Sequence, residues 1–123
     1  MILLDTNALI WQHDHHARGL GLLRAGVRVY VSPASVLELQ LLTESGRLRL
    51  HRGASVRDLA HDDRWSEDNP PSGDWFDVAL GIGWTRDPFD RLLVAHARLR
   101  RWRLATGDAA LFEHLDAHEY LEL

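Results

Sequence analysis

Four carboxylates stand at places in this sequence where a metal site could form. The apolar run Met1–Leu4 ends on Asp5, and Asp108 follows the apolar-polar stretch that ends at Thr106-Gly107. Glu38 and Asp90 stand near the starts of two predicted helices. In an open parallel sheet, ligands bind outside the carboxyl ends of the strands. Carboxylate oxygens suit Mg²⁺ and Mn²⁺, so the pattern predicts a carboxylate cluster that holds divalent metal.

Two of these acids also have an interpretation as helix caps. Asp is a common N-cap, and both Asp5 and Asp108 precede a predicted helix. Thr6 or Asn7 would cap the first helix equally well, which favours the functional interpretation of Asp5. For Asp108, the capping alternative is the strongest among the four acids.

The spacing of Glu38 and Asp90 along the chain does not decide between a functional and a structural interpretation. Glu38 is the only charged residue from Val29 to Thr43, and a carboxylate among apolar neighbours needs a cation or hydrogen-bond donors. It also lies three residues after Ser35, which matches a capping box. Asp90 follows Asp87-Pro88-Phe89, so Asp87 is the predicted N-cap and the helix dipole would stabilise Asp90.

Other polar clusters have simpler explanations. His13-Asp14-His15-His16 could bind a transition metal, but a solvated loop is the favoured interpretation. The run Arg98–Arg103 around Trp102 is typical of a solvated helix end, and it is also the best local candidate for phosphate contact. His96 is predicted to be a satisfied helix residue. Most of the five tryptophans are predicted core, although Trp65 and Trp75 could face a partner.

Strands and helices are predicted to alternate along the chain. This alternation favours an α/β fold with a parallel sheet and helices on both faces. Ser32-Pro33 predicts an N-cap followed by proline at the first helical position. The acidic, proline-containing stretch Asp62–Asp77 is predicted to be a surface loop. The predicted strands are Ile2–Asp5, Val27–Ser32, Arg103–Thr106 and Tyr120–Leu123, and the predicted helices include Ala8–Gln12, Ala17–Ala25, Val56–His61, Trp75–Leu80, Ala109–Leu115 and one from Asp87-Pro88 to about Arg101.

Length and composition limit the function classes. A chain of 123 residues is expected to form a single domain, 1–123. We expect a cytoplasmic protein, because there is no cysteine, no signal peptide and no apolar stretch that could span a membrane. The formal charge of −4 argues against a nucleic-acid partner unless metal neutralises several acids. All fourteen basic residues other than histidine are arginine, which excludes sites that require lysine, such as a phosphate-binding loop.

Four segments resemble the PIN-domain ribonucleases of the VapC toxin type. The strongest match runs from Trp84 to Ala95, around Asp90. The match spans nearly the whole chain in the right order. The other matching segments are Leu4–Leu9, Ser35–Leu39 and Ala105–Asp108.

This resemblance implies a fold, a site and partners. The implied fold is a three-layer α/β/α sandwich with a central parallel sheet, and the implied activity is endonucleolytic RNA cleavage with Mg²⁺ or Mn²⁺. It also implies a small cognate antitoxin and a homodimer. The sequence departs from this family at Asp62–Asp77, where the predicted loop replaces an expected strand, and this departure affects the edge of the sheet and the partner surface but not the acids. The implied metal ligands are Asp5, Glu38, Asp90 and Asp108, with Thr6, Asn7 and Thr106 in support.

Two rival functions stay open. One is a catalytically silent PIN-like module that binds RNA or protein; four mutually repelling carboxylates count against it. The other is a metal-dependent phosphatase that acts on small phosphate esters, which the missing lysine disfavours.

Overall fold

A computed structural model describes residues 1–14 and 27–123. The predicted helix Ala17–Ala25 and the residues His15 and His16 lie outside the described residues. None of the described helices is long and apolar enough to cross a membrane. The strands are β1 (Ile2–Leu4), β2 (Val29–Val31), β3 (Ser66–Glu67), β4 (Arg103–Thr106) and β5 (Tyr120–Glu122). The helices are α1 (Thr6–His13), α2 (Pro33–Glu44), α3 (Val56–Ala60), α4 (Ser72–Leu80), α5 (Pro88–Arg100) and α6 (Ala109–Phe112), with a 3₁₀ helix at His51–Gly53.

The five strands form one parallel sheet in the order β3-β2-β1-β4-β5. Leu4 at the end of β1 is in register with Val31 of β2 and with Ala105 of β4. The chain leaves β1 towards β2 and β3, then returns to place β4 on the other side of β1. The strand order therefore reverses between β1 and β4, and a crevice forms outside their carboxyl ends at such a switch point.

Two hydrophobic clusters cover the two faces of the sheet. Successive strand residues point to opposite faces. Accordingly, Leu4 and Ala105 belong to one cluster, whereas Leu3 and Leu104 belong to the other. The first cluster includes residues of α1, α2 and α3, and the second includes residues of α4, α5 and α6. The predicted α/β/α layers with a central parallel sheet are confirmed.

The start of α2 settles one of the alternatives for Glu38. Ser32 is the N-cap, its side chain accepts from the backbone N–H of Ala34 at 3.2 Å, and Pro33 opens the helix as predicted. Ser35 lies inside the helix and is fully buried. The capping-box interpretation of Ser35 and Glu38 is therefore wrong.

The prediction of a surface loop at Asp62–Asp77 is wrong in two ways. Ser66–Glu67 forms the edge strand β3, which pairs with Tyr30 and Val31 of β2, and α4 begins at Ser72. Asp68, directly after β3, accepts hydrogen bonds from buried His96 at 2.7 Å and from Arg100 Nε at 2.9 Å. A strand of two residues is too short to show an alternating pattern, so hydrophobic periodicity could not predict it.

The expectation that Trp65 and Trp75 face a partner is also wrong. Both side chains are buried, one in each cluster of the core. Each indole N–H donates to a backbone carbonyl, Trp65 to Leu59 at 2.9 Å and Trp75 to Leu92 at 2.8 Å. A buried tryptophan needs such a partner, and these two find theirs inside the protein.

Candidate metal centre

Asp5 lies at the switch point of the sheet. Its backbone N–H donates to the carbonyl of Ala105 at 3.0 Å, which ties the end of β1 to β4. Its side chain is only 6% exposed, and Oδ1 accepts from the N–H of Ala8 at 2.7 Å. Asp5 is thus the N-cap of α1, as its alternative interpretation predicted, and neither Thr6 nor Asn7 takes that position. A carboxylate has about four acceptor positions, so capping leaves it able to bind other groups.

Thr106 connects Asp5 to Asp108. The Thr106 side chain is fully buried and hydrogen-bonds the Asp5 carboxylate. Its Oγ1 also accepts from the backbone N–H of Asp108 at 3.1 Å. The Asp108 side chain accepts from the N–H of Ala110 at 2.9 Å, so it caps α6, as its alternative interpretation predicted. One hydroxyl therefore fixes the relative positions of the acids that follow β1 and β4.

Glu38 is held from the first turn of α1. The buried Thr6 hydroxyl donates to Glu38 Oε1, and Thr6 Oγ1 also lies 3.1 Å from Ser35 Oγ. Ser35 and Glu38 are three residues apart on α2, a spacing that places both on one face of the helix. Ser35 was not predicted to be part of the site, although its spacing from Glu38 was a signal in the sequence that both residues share a helix face.

Asp87 caps α5 as predicted, whereas the ligand role of Asp90 stays a prediction. Asp87 is the N-cap of α5, and its Oδ1 accepts from the N–H groups of Phe89 at 2.8 Å and Asp90 at 3.3 Å. The Asp90 side chain is partly buried and accepts no capping hydrogen bond. Its carboxylate is therefore available to the crevice.

The pKa of Asp90 reports the electrostatics of the crevice. Burial, together with repulsion from Asp87, Asp108, Glu38 and Asp5, raises the pKa of Asp90 to about 7. These four acids act on Asp90 from four different parts of the chain. The sheet therefore gathers the predicted carboxylates into one electrostatic site.

The pKa values of Asp5 and Glu38 are also raised. Burial raises the pKa of Asp5 to about 6; the hydrogen bonds from Thr106 and Ala8 oppose this rise, and the charges of Asp108 and Glu38 add to it. Burial raises the pKa of Glu38 as well, against the effect of the Thr6 hydrogen bond and with that of the Asp87 charge.

These acids fit a hard divalent cation. Among the described residues, no cationic side chain contributes to the pKa shifts of Asp5, Glu38 or Asp90. All the donors are carboxylate or hydroxyl oxygens, which are the ligands of Mg²⁺ and Mn²⁺. Within the described part of the chain, only His13, Asp14 and His51 bring three ligand atoms within 4.8 Å of one another. The four acids do not meet that distance among the described residues.

The arginine run lies at the other end of the sheet. Arg103 is in register with Ile2, the first residue of β1, whereas Asp5 follows its last residue. Three strand residues span about 10 Å. Arg98 pairs with Glu119 at 2.9 Å, and Arg103 donates to the carbonyl of Tyr120. The run therefore does not line the acidic crevice, and its contact with phosphate elsewhere stays a prediction.

Two further residues stand apart from the crevice contacts. Asn7 is exposed on the first turn of α1, and its supporting role stays a prediction. His96 is only half satisfied: Nε2 bonds Asp68, whereas Nδ1 is buried without a partner among the described residues.

Comparisons with known proteins agree with this architecture. Residues 2–117 match the family model of the PIN domain. A search of curated proteins finds no match. The fold is similar to a toxin-antitoxin complex from Klebsiella pneumoniae, with 17% identity, a TM-score of 0.72 and 100% of each chain covered. It is also similar to VapBC2 from Rickettsia felis bound to a DNA fragment from their promoter, with 19% identity, a TM-score of 0.71, and 100% of this chain and 99% of that chain covered. FitAcB from Neisseria gonorrhoeae is 24% identical, with a TM-score of 0.53 and 92% and 91% of the two chains covered.

Proposed function

The chain belongs to the PIN-domain family, and on this premise we propose that it is a metal-dependent endoribonuclease, the toxin of a toxin–antitoxin pair. The observation that carries the proposal is the placement of Asp5 and Asp108 after the neighbouring strands β1 and β4, with Asp5, Glu38 and Asp108 close enough to raise the pKa of Asp90. Their negative charges repel one another, which costs free energy in the crevice. A retained arrangement of this kind is expected where a bound cation offsets the cost.

Each acid has a proposed part in holding the cation. Asp5 and Asp90 are the proposed direct ligands, and Glu38 and Asp108 would ligate a second ion, act through water, or orient the attacking water. Thr106 fixes Asp5 relative to Asp108. When bound, Mg²⁺ or Mn²⁺ supplies an activated water and neutralises charge on the scissile phosphate. Ser35, the serine of the site, is fully buried against the Thr6 hydroxyl, and the chain has no lysine, which agrees with attack by water.

The proposed substrate is RNA. Its phosphates can enter the crevice only after a cation has neutralised the acids. The formal charge of the chain is −4, and two divalent cations would bring it to about zero. Because the acids must be neutralised, activity would depend on metal both for the chemical step and for substrate binding. The reaction is proposed to take place in the cytoplasm, where RNA is available.

A small antitoxin is the proposed inhibitor, and a homodimer the proposed working form. Several large apolar side chains are exposed on two helices, including Phe76 at 53% and Leu80 at 77% on α4. Leu37 and Leu41 are exposed on α2, the helix that carries Glu38. Exposed apolar clusters of this kind favour protein partners. An arginine from an inhibitory peptide would pair with the carboxylates in place of metal.

RNA cleavage by the purified protein tests the proposal. We expect internal cuts in an end-labelled RNA with Mg²⁺ or Mn²⁺, and complete loss of cutting in excess EDTA. A chromogenic phosphate ester serves as the competing substrate. Hydrolysis of the ester with intact RNA would favour the phosphatase alternative, and metal binding without turnover of either substrate would favour a silent binding module.

A further inference from the structure

Three potential metal ligands converge away from the acidic crevice. His13 is the last residue of α1, Asp14 is its C-cap, and His51 opens the 3₁₀ helix. One ligand atom from each lies within 4.8 Å of the others. His51 Nε2 is 2.9 Å from Asp14 Oδ1, and the rings of His13 and His51 stack with their centroids 5.4 Å apart. The tertiary fold thus adds to His13 and Asp14 a histidine that is 37 positions further along the chain.

His13 carries the second observation. Its Nε2 is buried and has no hydrogen-bond partner among the described residues. A buried polar atom without a partner costs free energy, and a metal ion would remove that cost. Burial also lowers the pKa of the His13 imidazole, which keeps it neutral near pH 7. Neutral imidazole is the form that binds metal.

We propose that His13, Asp14 and His51 form a second metal site, selective for a transition ion such as Zn²⁺. Imidazole nitrogen favours Zn²⁺ and related ions over Mg²⁺, whereas the all-oxygen crevice favours Mg²⁺. Tetrahedral Zn²⁺ with bonds of about 2.1 Å places its ligand atoms about 3.4 Å apart. Groups already within 4.8 Å reach that spacing with small side-chain movements.

The surroundings tolerate a cation. Among the described residues, Arg64 is the arginine whose charge acts on His13. Its guanidinium is paired with Asp62, with Nε 2.9 Å from Oδ1, so its charge is largely compensated. His51 and Asp14 are solvent-accessible, which gives an ion a route of entry. A bound ion would join the end of α1 to the 3₁₀ helix and leave a coordination position for water or a fourth ligand.

Zinc binding in the presence of excess Mg²⁺ tests this site separately from the crevice. We would measure bound zinc by equilibrium dialysis of the full chain and of His51→Asn. His61→Asn is the matched control, because His61 is also an exposed histidine beside a carboxylate, 3.9 Å from Glu67. We expect His51→Asn to weaken zinc binding at least about tenfold and His61→Asn to leave it unchanged. Asp90→Asn should retain the zinc, since the crevice is a different site.

A spectroscopic measurement makes the proposal independent of variant stability. Co²⁺ added to the wild-type chain should give visible absorption bands of a nitrogen- and oxygen-ligated ion, and Zn²⁺ should remove them. The bands should be absent in the double variant His13→Asn/His51→Asn, whose folding is checked by far-ultraviolet circular dichroism. Equal zinc binding by the folded double variant and the wild type, or loss of zinc in Asp90→Asn, would overturn the proposal.

Discussion

The Thr6 hydroxyl donates a hydrogen bond to the Glu38 carboxylate, across 32 positions of the sequence. Thr6 is the first residue of α1, and Glu38 lies in the second turn of α2. The bond therefore links the helix that follows β1 to the helix that follows β2. It holds in place a carboxylate that would otherwise turn away from its neighbours in the crevice.

This contact predicts a loss of activity in Thr6→Val. Valine has the same shape but no hydroxyl, so the Glu38 carboxylate loses its donor and becomes misplaced. We expect RNA cleavage to fall at least about tenfold, with a larger effect at low Mg²⁺ concentration. Thr43→Val is the control, because the Thr43 hydroxyl donates to the carbonyl of Gln40 and to no carboxylate. Equal losses in both variants would contradict the positioning role.

Asp90→Asn and Asp87→Asn should separate the ligand from the cap. Removing the Asp90 charge weakens metal binding, and we expect activity to fall about 100-fold or more. Asp87→Asn should be mild, since asparagine also caps helices well. Cleavage rates at saturating Mg²⁺ measure both effects. If Asp87→Asn lost as much activity as Asp90→Asn, the two roles would be reversed.

The raised pKa values predict how stability depends on pH without metal. Asp90 and Asp5 have folded pKa values of about 7 and about 6, against 3.8 for the unfolded chain, so the folded state binds protons more tightly. Their stabilising contribution is complete below pH 3.8 and is lost as the pH rises through 6 and 7.

Urea denaturation in EDTA at pH 5.5 and pH 8 measures this loss. Asp90→Asn should show a smaller decrease in the free energy of unfolding than the wild type, and should be more stable at pH 8 by on the order of 1 kcal/mol after allowing for solvent screening. Comparing Asp90→Asn with the wild type cancels the contribution that the histidines make to the pH dependence. An identical pH dependence in both would contradict the electrostatic coupling of Asp90.

Asp68→Ala should destabilise the fold. Asp68 is the partner of buried His96 Nε2 and of Arg100, and its removal leaves both His96 nitrogens without a described partner. We expect the free energy of unfolding to fall by about 2–3 kcal/mol. Asp63→Ala, at an exposed acid of the same segment, should change it by less than about 0.5 kcal/mol. Similar midpoints of urea denaturation for the two variants would show that the Asp68 contacts contribute little.

Expression in bacteria tests the proposed toxin function. The wild-type chain expressed alone should slow growth, and co-expression of a small protein encoded beside it should relieve the effect. Asp90→Asn, produced at the same level, should be harmless. A harmless wild-type chain that binds metal and purifies as a monomer without partners would contradict the toxin and homodimer proposals.

The helices and strands with strong local signals could be predicted from the amino-acid sequence. β4 was predicted with its observed bounds, because Arg103–Thr106 is a short β-forming run between a long helix and a glycine. The start of α2 at Ser32-Pro33 and the capping of α5 by Asp87 follow from side chains that act within one turn of their own position. Local chemistry of this kind does not depend on the rest of the fold.

Side-chain contacts between distant segments could be known only from the folded structure. Ser35 became part of the site only when α2 packed against the first turn of α1, and Asp68 became a buried partner only when β3 joined the sheet edge. The pairing of His51 with His13 and Asp14 also depends on the packing of distant segments. Spacing along the chain carries no information on contacts between segments more than a turn apart, because the sheet register and the helix packing set those distances.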